Sequence, residues 1–141
     1  MSCASFEDAV ASHHEALAAF VRRDTQPFKD LFSRQADATL ANPFGGVARG
    51  WSEIPDRVDR AASYYTDGEV VSIETISSDH SDDFGYCFEI ELLRGRLGNR
   101  NVIDDVGLRT TSVFRCEGGD WKLVHRHADP AIELRVPESI V

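Results

Sequence analysis

The period of the apolar residues changes once along this 141-residue chain, near residue 69, from a helical repeat to a strand repeat. Before that point, apolar side chains recur every three or four positions, which is the spacing of one helix face. After it, they alternate with polar side chains, as in half-buried strands. Helices followed by consecutive strands predict an α+β fold, with three N-terminal helices packed on a strongly curved mixed or antiparallel β-sheet. The length is that of one domain, which we place over residues 1–141.

Three helices are predicted in the first half of the chain. One apolar stripe marks the first helix: Phe6, Val10, His13, Leu17 and Phe20. A second helix begins near Thr25 with Pro27 in its first turn, and a third spans Ile54 to Tyr65. A short strand over Ala38–Asn42 and a turn over 43–46 lie between them. The longer strands are predicted at Val70–Ser77, Phe84–Leu93, Val106–Cys116 and Trp121–His127.

The acidic balance of the chain excludes two classes of partner. With 15 basic and 24 acidic residues, the formal charge is −9, and the isoelectric point is near 4.9. A nucleic-acid-binding protein needs a basic patch that displaces counterions, and an anionic membrane surface also attracts basic segments. No apolar run approaches the ~20 residues of a membrane span, and the first ten residues lack the basic region of a secretory signal. We therefore expect neither nucleic acid nor membrane as a partner.

The cysteines Cys3, Cys87 and Cys116 form an odd set without CxxC spacing. This pattern predicts neither a disulfide framework nor a zinc site, and it favours a reduced, cytoplasmic setting. The chain also lacks the common motifs of nucleotide-binding loops, serine-hydrolase elbows and zinc peptidases, namely GxGxxG, GxxxxGK[ST], GxSxG and HExxH. We therefore expect no metal and no cofactor.

The most conspicuous polar run ends the last predicted strand, at His125-Arg126-His127-Ala128-Asp129. Strand alternation puts His125 and His127 on the face of Trp121, which we predict to point inward. Two imidazoles placed in this way are able to bind a metal, exchange protons or orient a polar ligand. The plainer alternative has one histidine hydrogen-bonded in the core and the other at the rim of the sheet. No third metal ligand has suitable spacing, so the pair is assigned as the candidate catalytic residues.

Four polar residues of the predicted strands are candidate ligand contacts. Asn42 ends the short strand, where its amide both donates and accepts, although Asn-Pro also starts turns. Arg109 binds an acid or phosphate group if it points inward, and it is ordinary surface if it points outward. Thr110 and Ser112 share the other face of the same strand and are alternative donors.

Further candidates lie on the first helix, just before and at the end of the third helix, and on the strand predicted at Phe84–Leu93. His13 is near the centre of the first helix's apolar stripe, where it either points into a pocket or is a satisfied core histidine. Trp51 and Tyr65 are candidate walls of a cavity or parts of the core. Glu89 and Glu91 share one strand face; such a pair performs acid–base work in some enzymes. Two successive glutamates on one face are more typical of a solvated or subunit-facing surface, which we expect here.

The order of the elements and three segments resemble one superfamily. The segments are Asp30–Gly45, the Gly50-Trp51 pair that opens a helix, and Trp121–Asp129. The chain resembles the nuclear transport factor 2-like superfamily over roughly residues 5–130, a group that includes ketosteroid isomerase and the SnoaL-like polyketide cyclases. The resemblance implies a cystatin-like, cone-shaped domain that forms a homodimer and binds a small molecule. Because acidic residues lie in predicted loops and helix starts, whereas the candidate pocket strands carry His125, His127 and Arg109, we expect this molecule to be uncharged or anionic. It does not specify the reaction, because this fold hosts many chemistries.

Three positions depart from the ketosteroid isomerase pattern. Asn42 stands where those enzymes have the aspartate general base, and an asparagine does not accept that proton at neutral pH. The oxyanion-hole tyrosine falls at about Ala16, and its acidic partner falls near Thr110 or Thr111. Steroid isomerisation by that mechanism is therefore not expected. The two C-terminal histidines look more like SnoaL-like and kinase-association-type members.

Two functions remain open at this point. The first is a cofactor-free enzyme of isomerase, cyclase or dehydratase type, in which histidine is the acid–base group. The second is a non-catalytic domain that binds a ligand or assembles as a dimer through its sheet. Apolar residues expected on the outer face, such as Val113 and Val124, favour the second function.

Overall fold

The computed structural model describes residues 3–141, which form three α-helices and a six-stranded sheet, with the first two strands between the second and third helices. The helices are α1 (Phe6–Phe20), α2 (Gln26–Leu31) and α3 (Ile54–Ser63). The strands are β1 (Thr39–Ala41), β2 (Ala48–Arg49), β3 (Tyr65–His80), β4 (Phe84–Leu97), β5 (Asp104–Glu117) and β6 (Asp120–Asp129). A 3-10 turn at Pro137–Ile140 follows. The predicted fold class, α+β with three helices in the N-terminal half and a mixed sheet, is confirmed.

The sheet has the order β2-β1-β6-β5-β4-β3. β1 is parallel to β6, and all other neighbours are antiparallel. The last strand therefore lies inside the sheet, where Thr39 of β1 pairs with His125 of β6. Within residues 3–141, no helix combines the length and the apolar composition needed to cross a bilayer.

Helix α1 covers the inner face of the sheet with the predicted apolar stripe. Its start is stabilised by Ser5, whose Oγ accepts a hydrogen bond from the Asp8 amide at 3.2 Å, and by two acidic residues near the positive end of the helix dipole. Phe6, His13 and Leu17 are buried, whereas Val10 and Phe20 are partly buried. The helix thus places one imidazole, that of His13, directly in the core.

A disulfide ties the segment before α1 to the end of β5. It joins Cys3 to Cys116, which are 113 residues apart in sequence. Beside it, the indole Nε1 of Trp121 donates to the carbonyl of Ala4 at 2.8 Å, and Phe6 packs edge-on against the Trp121 ring. The expectation that the cysteines carry no disulfide was therefore wrong. Disulfides persist in oxidising compartments, so this bond does not support the reduced setting that was expected.

Strand β4 points two glutamates inward and a row of apolar residues outward. Glu89 and Glu91 are fully buried, on the same face as Cys87. The opposite face carries an apolar row: Phe84, Tyr86, Phe88, Ile90 and Leu92. The expectation that the two glutamates face solvent or a subunit was therefore wrong. The polar face of β4 lines the space between helices and sheet, and we call this space the interior.

A β-bulge in β6 reverses which residues point inward. Val113 of β5 pairs with His125 and Phe114 pairs with Leu123, so the intervening Val124 is an extra residue on β6. An extra residue shifts the alternation of a strand by one position. Leu123 is buried before the bulge, as the simple alternation predicts. After the bulge, the residues that simple alternation predicts to point outward point inward instead, and the reverse.

Arg126 therefore points into the interior, and the two histidines beside it point away from it. The Arg126 side chain is 5% exposed. His127 is exposed, and His125 is half-buried on the outer face. The predicted inward orientation of His125 and His127 was wrong because uninterrupted alternation was assumed. Val124, expected to be exposed, is also buried.

Candidate functional site

The interior is built around a buried ion pair between β6 and β4. The Arg126 guanidinium donates two hydrogen bonds to the Glu91 carboxylate, Nη1 to Oε2 and Nη2 to Oε1, each at 2.8 Å. Burial disfavours the charge of Arg126, but the Glu91 carboxylate outweighs it and raises the pKa of the guanidinium. Such a bidentate pair is the geometry in which arginine and carboxylate neutralise each other best. The pair fixes β6 against β4 without leaving a bare charge in the core.

His13 meets this ion pair from α1. Its Nε2 lies 3.3 Å from Nη1 of Arg126, which can only donate. Burial, with a further contribution from the Arg126 charge, lowers the pKa of His13 to about 3, so the ring is neutral at physiological pH. Its Nδ1 is buried and has no hydrogen-bond partner among residues 3–141.

A second pair, His14 with Glu89, connects the interior to the surface. His14 Nε2 and Glu89 Oε2 are 2.8 Å apart, and Thr75 Oγ1 donates to the same oxygen at 2.8 Å. The carboxylate is fully buried, whereas the imidazole is 31% exposed. The hydrogen bond to Glu89 raises the pKa of His14. Burial opposes ionisation of Glu89, but the bonds from His14 and Thr75 outweigh it and lower the pKa of the carboxyl group.

The other oxygen of Glu89 faces a buried thiol. Cys87 Sγ donates to Glu89 Oε1 at 3.6 Å. Burial, together with the nearby Glu89 charge, raises the pKa of the Cys87 thiol to about 12. Ser112 is 1% exposed, and its Oγ has no hydrogen-bond partner in the part of the chain that the structure describes. Two polar atoms without partners, on Ser112 and His13, thus lie in an otherwise saturated cluster.

Four of the predicted ligand contacts, His13, Tyr65, Thr110 and Ser112, are buried. Thr110 Oγ1 donates to the backbone oxygen of Glu89 at 3.2 Å. Burial raises the pKa of Tyr65 to about 12, against the influence of Arg126. Trp51 lies elsewhere and is half-buried beneath the Arg34 guanidinium, 3.4 Å from its ring centroid.

The other strand candidates lie on the outer face of the sheet. Arg109 donates to both carboxylate oxygens of Asp129, at 2.9 and 3.0 Å, so of its two alternatives the outward, surface position is the one observed. His125 Nδ1 is 2.8 Å from Thr39 Oγ1. Burial is the main cause that lowers the pKa of His125, and the neighbouring His127 lowers this pKa further.

Asn42 belongs to a separate pocket of about 220 Å³ between the loop that follows β1 and helix α3. We call it the loop–helix pocket. Its lining residues are Asn42, Phe44, Gly45, Gly46, Arg57, Arg60, Ala61 and Tyr64. Asn42 Oδ1 accepts from the Phe44 amide at 3.1 Å, which shapes the turn. The amide nitrogen of Asn42 remains without a partner among the described residues.

Two arginines of α3 line this pocket without an acidic partner. No ion pair or side-chain hydrogen bond engages Arg57 or Arg60 within residues 3–141, although Asp56 is four positions before Arg60. Gly46 has φ +72°, and a Cβ there would lie 3.0 Å from Nη1 of Arg57. Glycine thus both permits the turn and leaves room for the guanidinium. Phe44 packs on Tyr64 at 4.8 Å between ring centroids and forms an aromatic wall.

A family model decides the classification of the chain. The model of the SnoaL-like domain matches residues 10–133. The chain belongs to the SnoaL-like domain family. A search of curated proteins finds no match. Membership confirms the resemblance seen in the sequence and leaves the reaction open, because one fold hosts many activities.

Solved structures with low sequence identity share the fold of this SnoaL-like protein. A nuclear transport factor 2-like superfamily protein from Salmonella enterica serovar Typhimurium is 14% identical, with a TM-score of 0.77 and 94% of each chain covered. A ketosteroid isomerase-like protein from Erwinia carotovora atroseptica is 16% identical, with a TM-score of 0.73 and coverage of 90% and 94%. A cystatin-like protein from Nostoc punctiforme is 14% identical, with a TM-score of 0.72 and coverage of 95% and 98%.

Sequence reasoning missed key residues of both the interior and the loop–helix pocket. Arg126 was visible in the His-Arg-His run, but its inward direction depends on the bulge at Val124. His14 stands next to His13 but off the apolar stripe of α1, so the helical spacing does not indicate its contact with Glu89. Arg57 and Arg60 are three positions apart on a helix, which puts them on one face, and this spacing was a usable signal.

Proposed function

We propose that this SnoaL-like protein binds a small anionic organic molecule in the loop–helix pocket. The observation that carries the proposal is that Arg57 and Arg60 line one pocket without a carboxylate partner in the described chain. Seven other arginines pair with an acidic side chain, in a protein of net charge −9: Arg34, Arg94, Arg96, Arg100, Arg109, Arg115 and Arg126. Two unpaired guanidiniums on one wall therefore favour an anion over an uncharged ligand.

The pocket also limits the shape of the ligand. Its volume of about 220 Å³ is below the range of roughly 300–1,000 Å³ typical of drug-sized ligands. Phe44 and Tyr64, whose rings meet edge to face at 72°, provide an apolar wall, and the Asn42 amide nitrogen is an available donor. A carboxylate on a single ring or a short chain fits these features. The binding residues are therefore Arg57 and Arg60 for the charge, Asn42 for a polar group and Phe44 with Tyr64 for the apolar part.

Benzoate and its uncharged analogue benzamide separate charge recognition from ring stacking. We expect benzoate to shift the NMR signals of the Asn42 and Gly46 amides and to bind more tightly than benzamide. The double variant Arg57→Gln/Arg60→Gln should weaken benzoate binding at least about tenfold, because hydrogen bonds to charged groups contribute about 1.5–3 kcal/mol. The matched control Arg22→Gln, at an exposed arginine beyond α1, should leave it unchanged. Equal affinity for the two probes, or no loss in the double variant, would contradict the proposal.

A second candidate function is acid–base chemistry at His14, on the evidence of its 2.8 Å contact with Glu89. A buried carboxylate that orients an exposed imidazole is the arrangement that general bases use. In this candidate function, the histidine acid–base group is His14 of α1. The chemistry available to such a pair is proton transfer to or from a small molecule, as isomerases, cyclases and dehydratases require.

The His14–Glu89 pair predicts a pH dependence of stability. The pKa of His14 is raised in the folded state, so its contribution is complete below the unfolded value of 6.5 and is lost as pH rises through the folded pKa. The wild type should therefore lose its advantage over His14→Gln as the pH rises above the unfolded value of 6.5 and through the raised pKa of His14. Urea unfolding at several pH values measures this difference, with His127→Gln as the surface control. A difference that is constant with pH would show that the pair does not form.

The apolar outer face of β4 supports the predicted homodimer, which we propose as the assembly state. Phe84 is 51% and Tyr86 38% exposed, and the row continues through Phe88, Ile90 and Leu92. An exposed apolar row does not stabilise a monomer. In a symmetric dimer packed sheet to sheet, the rows of both copies would be removed from water.

One substitution in the centre of this row tests the dimer. We expect the wild type to sediment as a dimer at micromolar concentration and Phe88→Glu to sediment as a folded monomer, because two buried like charges would oppose association. Ala11→Glu, on the exposed side of α1, is the control and should remain dimeric. A monomeric wild type would exclude this assembly.

A further inference from the structure

Three side chains of different ligand chemistry meet in the interior of the domain. His13 from α1 and Cys87 and Glu89 from β4 are all buried, and one ligand atom from each lies within 4.8 Å of the other two. Zinc bonds of about 2.0–2.3 Å to a tetrahedral set bring ligand atoms to roughly 3.5 Å from one another. The three atoms therefore need to approach by roughly 1 Å to share an ion.

The polar atoms of this cluster are not all satisfied. His13 Nδ1 and Ser112 Oγ are both buried and lack a hydrogen-bond partner among residues 3–141. Leaving such a group unpaired costs about 1–3 kcal/mol. Glu89 divides its oxygens, with Oε2 held by His14 and Thr75 and only Oε1 turned towards Cys87. An imidazole nitrogen, a thiol sulfur and a carboxylate oxygen thus lie within 4.8 Å of one another in the buried cluster.

We propose that His13, Cys87 and Glu89 form a binding site for one divalent transition metal ion of the zinc class. A thiolate, an imidazole and a carboxylate are the three ligand types that zinc combines in proteins. The charges also balance, because one thiolate and one carboxylate neutralise a divalent cation. His14 and Thr75 keep their bonds to Oε2 and orient the Glu89 carboxylate, as outer partners of metal ligands do. The Ser112 hydroxyl lies near enough to the Cys87 thiol to lower the pKa of that thiol. It is a further polar group beside the three proposed ligands.

Binding requires two proton movements. The Cys87 thiol releases its proton to solvent, so each ion bound frees one proton and affinity rises about tenfold per pH unit below the thiol pKa. The neutral His13 ring moves its proton from Nδ1 to Nε2, which opens the 3.3 Å contact with Arg126. Arg126 keeps both of its 2.8 Å bonds to Glu91, so the ion pair does not depend on that contact.

The metal test uses the full chain with the surface histidines removed. His125 and His127 are two positions apart on an exposed face and are able to chelate metal themselves, so His125→Gln/His127→Gln is the background. After incubation with Co²⁺ and dialysis, we expect one ion per chain and a thiolate-to-cobalt charge-transfer band that Zn²⁺ abolishes. Adding Cys87→Ala should remove the band and weaken Zn²⁺ binding more than about 100-fold, beyond the typical effect of an outer partner.

Two further measurements keep the test decisive. Glu89→Gln should weaken Zn²⁺ binding, whereas Ser77→Ala, at an exposed position of β3, should not. If Cys87→Ala does not fold, alkylation of Cys87 in the background protein is compared with and without Zn²⁺; bound metal should slow it at least about tenfold. The proposal is overturned if the background retains no metal, if folded Cys87→Ala binds equally well, or if Zn²⁺ does not protect the thiol.

Discussion

Replacing Glu91 with alanine is expected to lower the free energy of unfolding by about 3–5 kcal/mol, the largest effect of any single substitution considered. The substitution would leave Arg126 charged and only 5% exposed, without the carboxylate to which it donates two hydrogen bonds. His13 cannot take over, since its neutral ring accepts only the one long contact at 3.3 Å. Urea unfolding followed by circular dichroism measures the loss.

The matched controls separate the ion pair from simple loss of packing. Glu91→Gln keeps the shape and one acceptor, and it should cost less than the alanine variant. Glu91→Leu with Arg126→Met removes both charges and should recover much of the stability, because apolar residues of similar volume often replace a buried pair without loss. A cost below about 1 kcal/mol for Glu91→Ala would mean that Arg126 reaches solvent and that the interior is not closed.

Breaking the Cys3–Cys116 disulfide is expected to cost about 2–5 kcal/mol. The bond closes a loop of 113 residues, so it restricts the unfolded chain strongly, and it also fixes the segment that leads into α1. Unfolding in urea with and without a reductant measures the effect. Cys116→Ala should equal the reduced wild type, and added reductant should not change its stability further.

Thiol counting provides the control for this prediction. In denaturant without reductant, one reactive thiol per chain is expected, that of Cys87, which is free in the structure. Three are expected after reduction. Cys87→Ala should keep the full response to reductant. Three free thiols before reduction, or equal stability of the oxidised and reduced chains, would falsify the disulfide.

The helices and strands could be predicted from the sequence because their periods are local properties. The stripe from Phe6 to Phe20 gives α1 its position, since one face of one helix determines it. Two predictions of which strand face points inward, for β4 and β6, were wrong because that orientation is not a local property of the sequence. On β4, apolar residues normally mark the inner face, but here the interior is polar and the row containing Phe88 faces outward. On β6, a single inserted residue at Val124 inverts every later side chain.

The candidate sites were only partly predictable for related reasons. His13, Thr110 and Ser112 are buried in the interior, and each shares a face with core residues that the sequence pattern identifies. Arg126 and Glu91 lie on different strands and are 35 positions apart in the sequence. No spacing in the sequence reveals such a contact. The disulfide was missed in the same way, because the sheet and α1 together bring Cys3 to Cys116. An odd number of cysteines does not exclude one pair.

The location of a bound aromatic acid tests the central claim most directly. Crystals soaked with 4-bromobenzoate should show an anomalous bromine peak in the loop–helix pocket, beside Phe44 and Tyr64, with the carboxylate turned towards Arg57 and Arg60. That result would place the ligand on the two unpaired arginines that motivate the proposal. A peak only in the interior beside Arg126 or only on the outer face of the sheet, or no peak in the pocket, would contradict it.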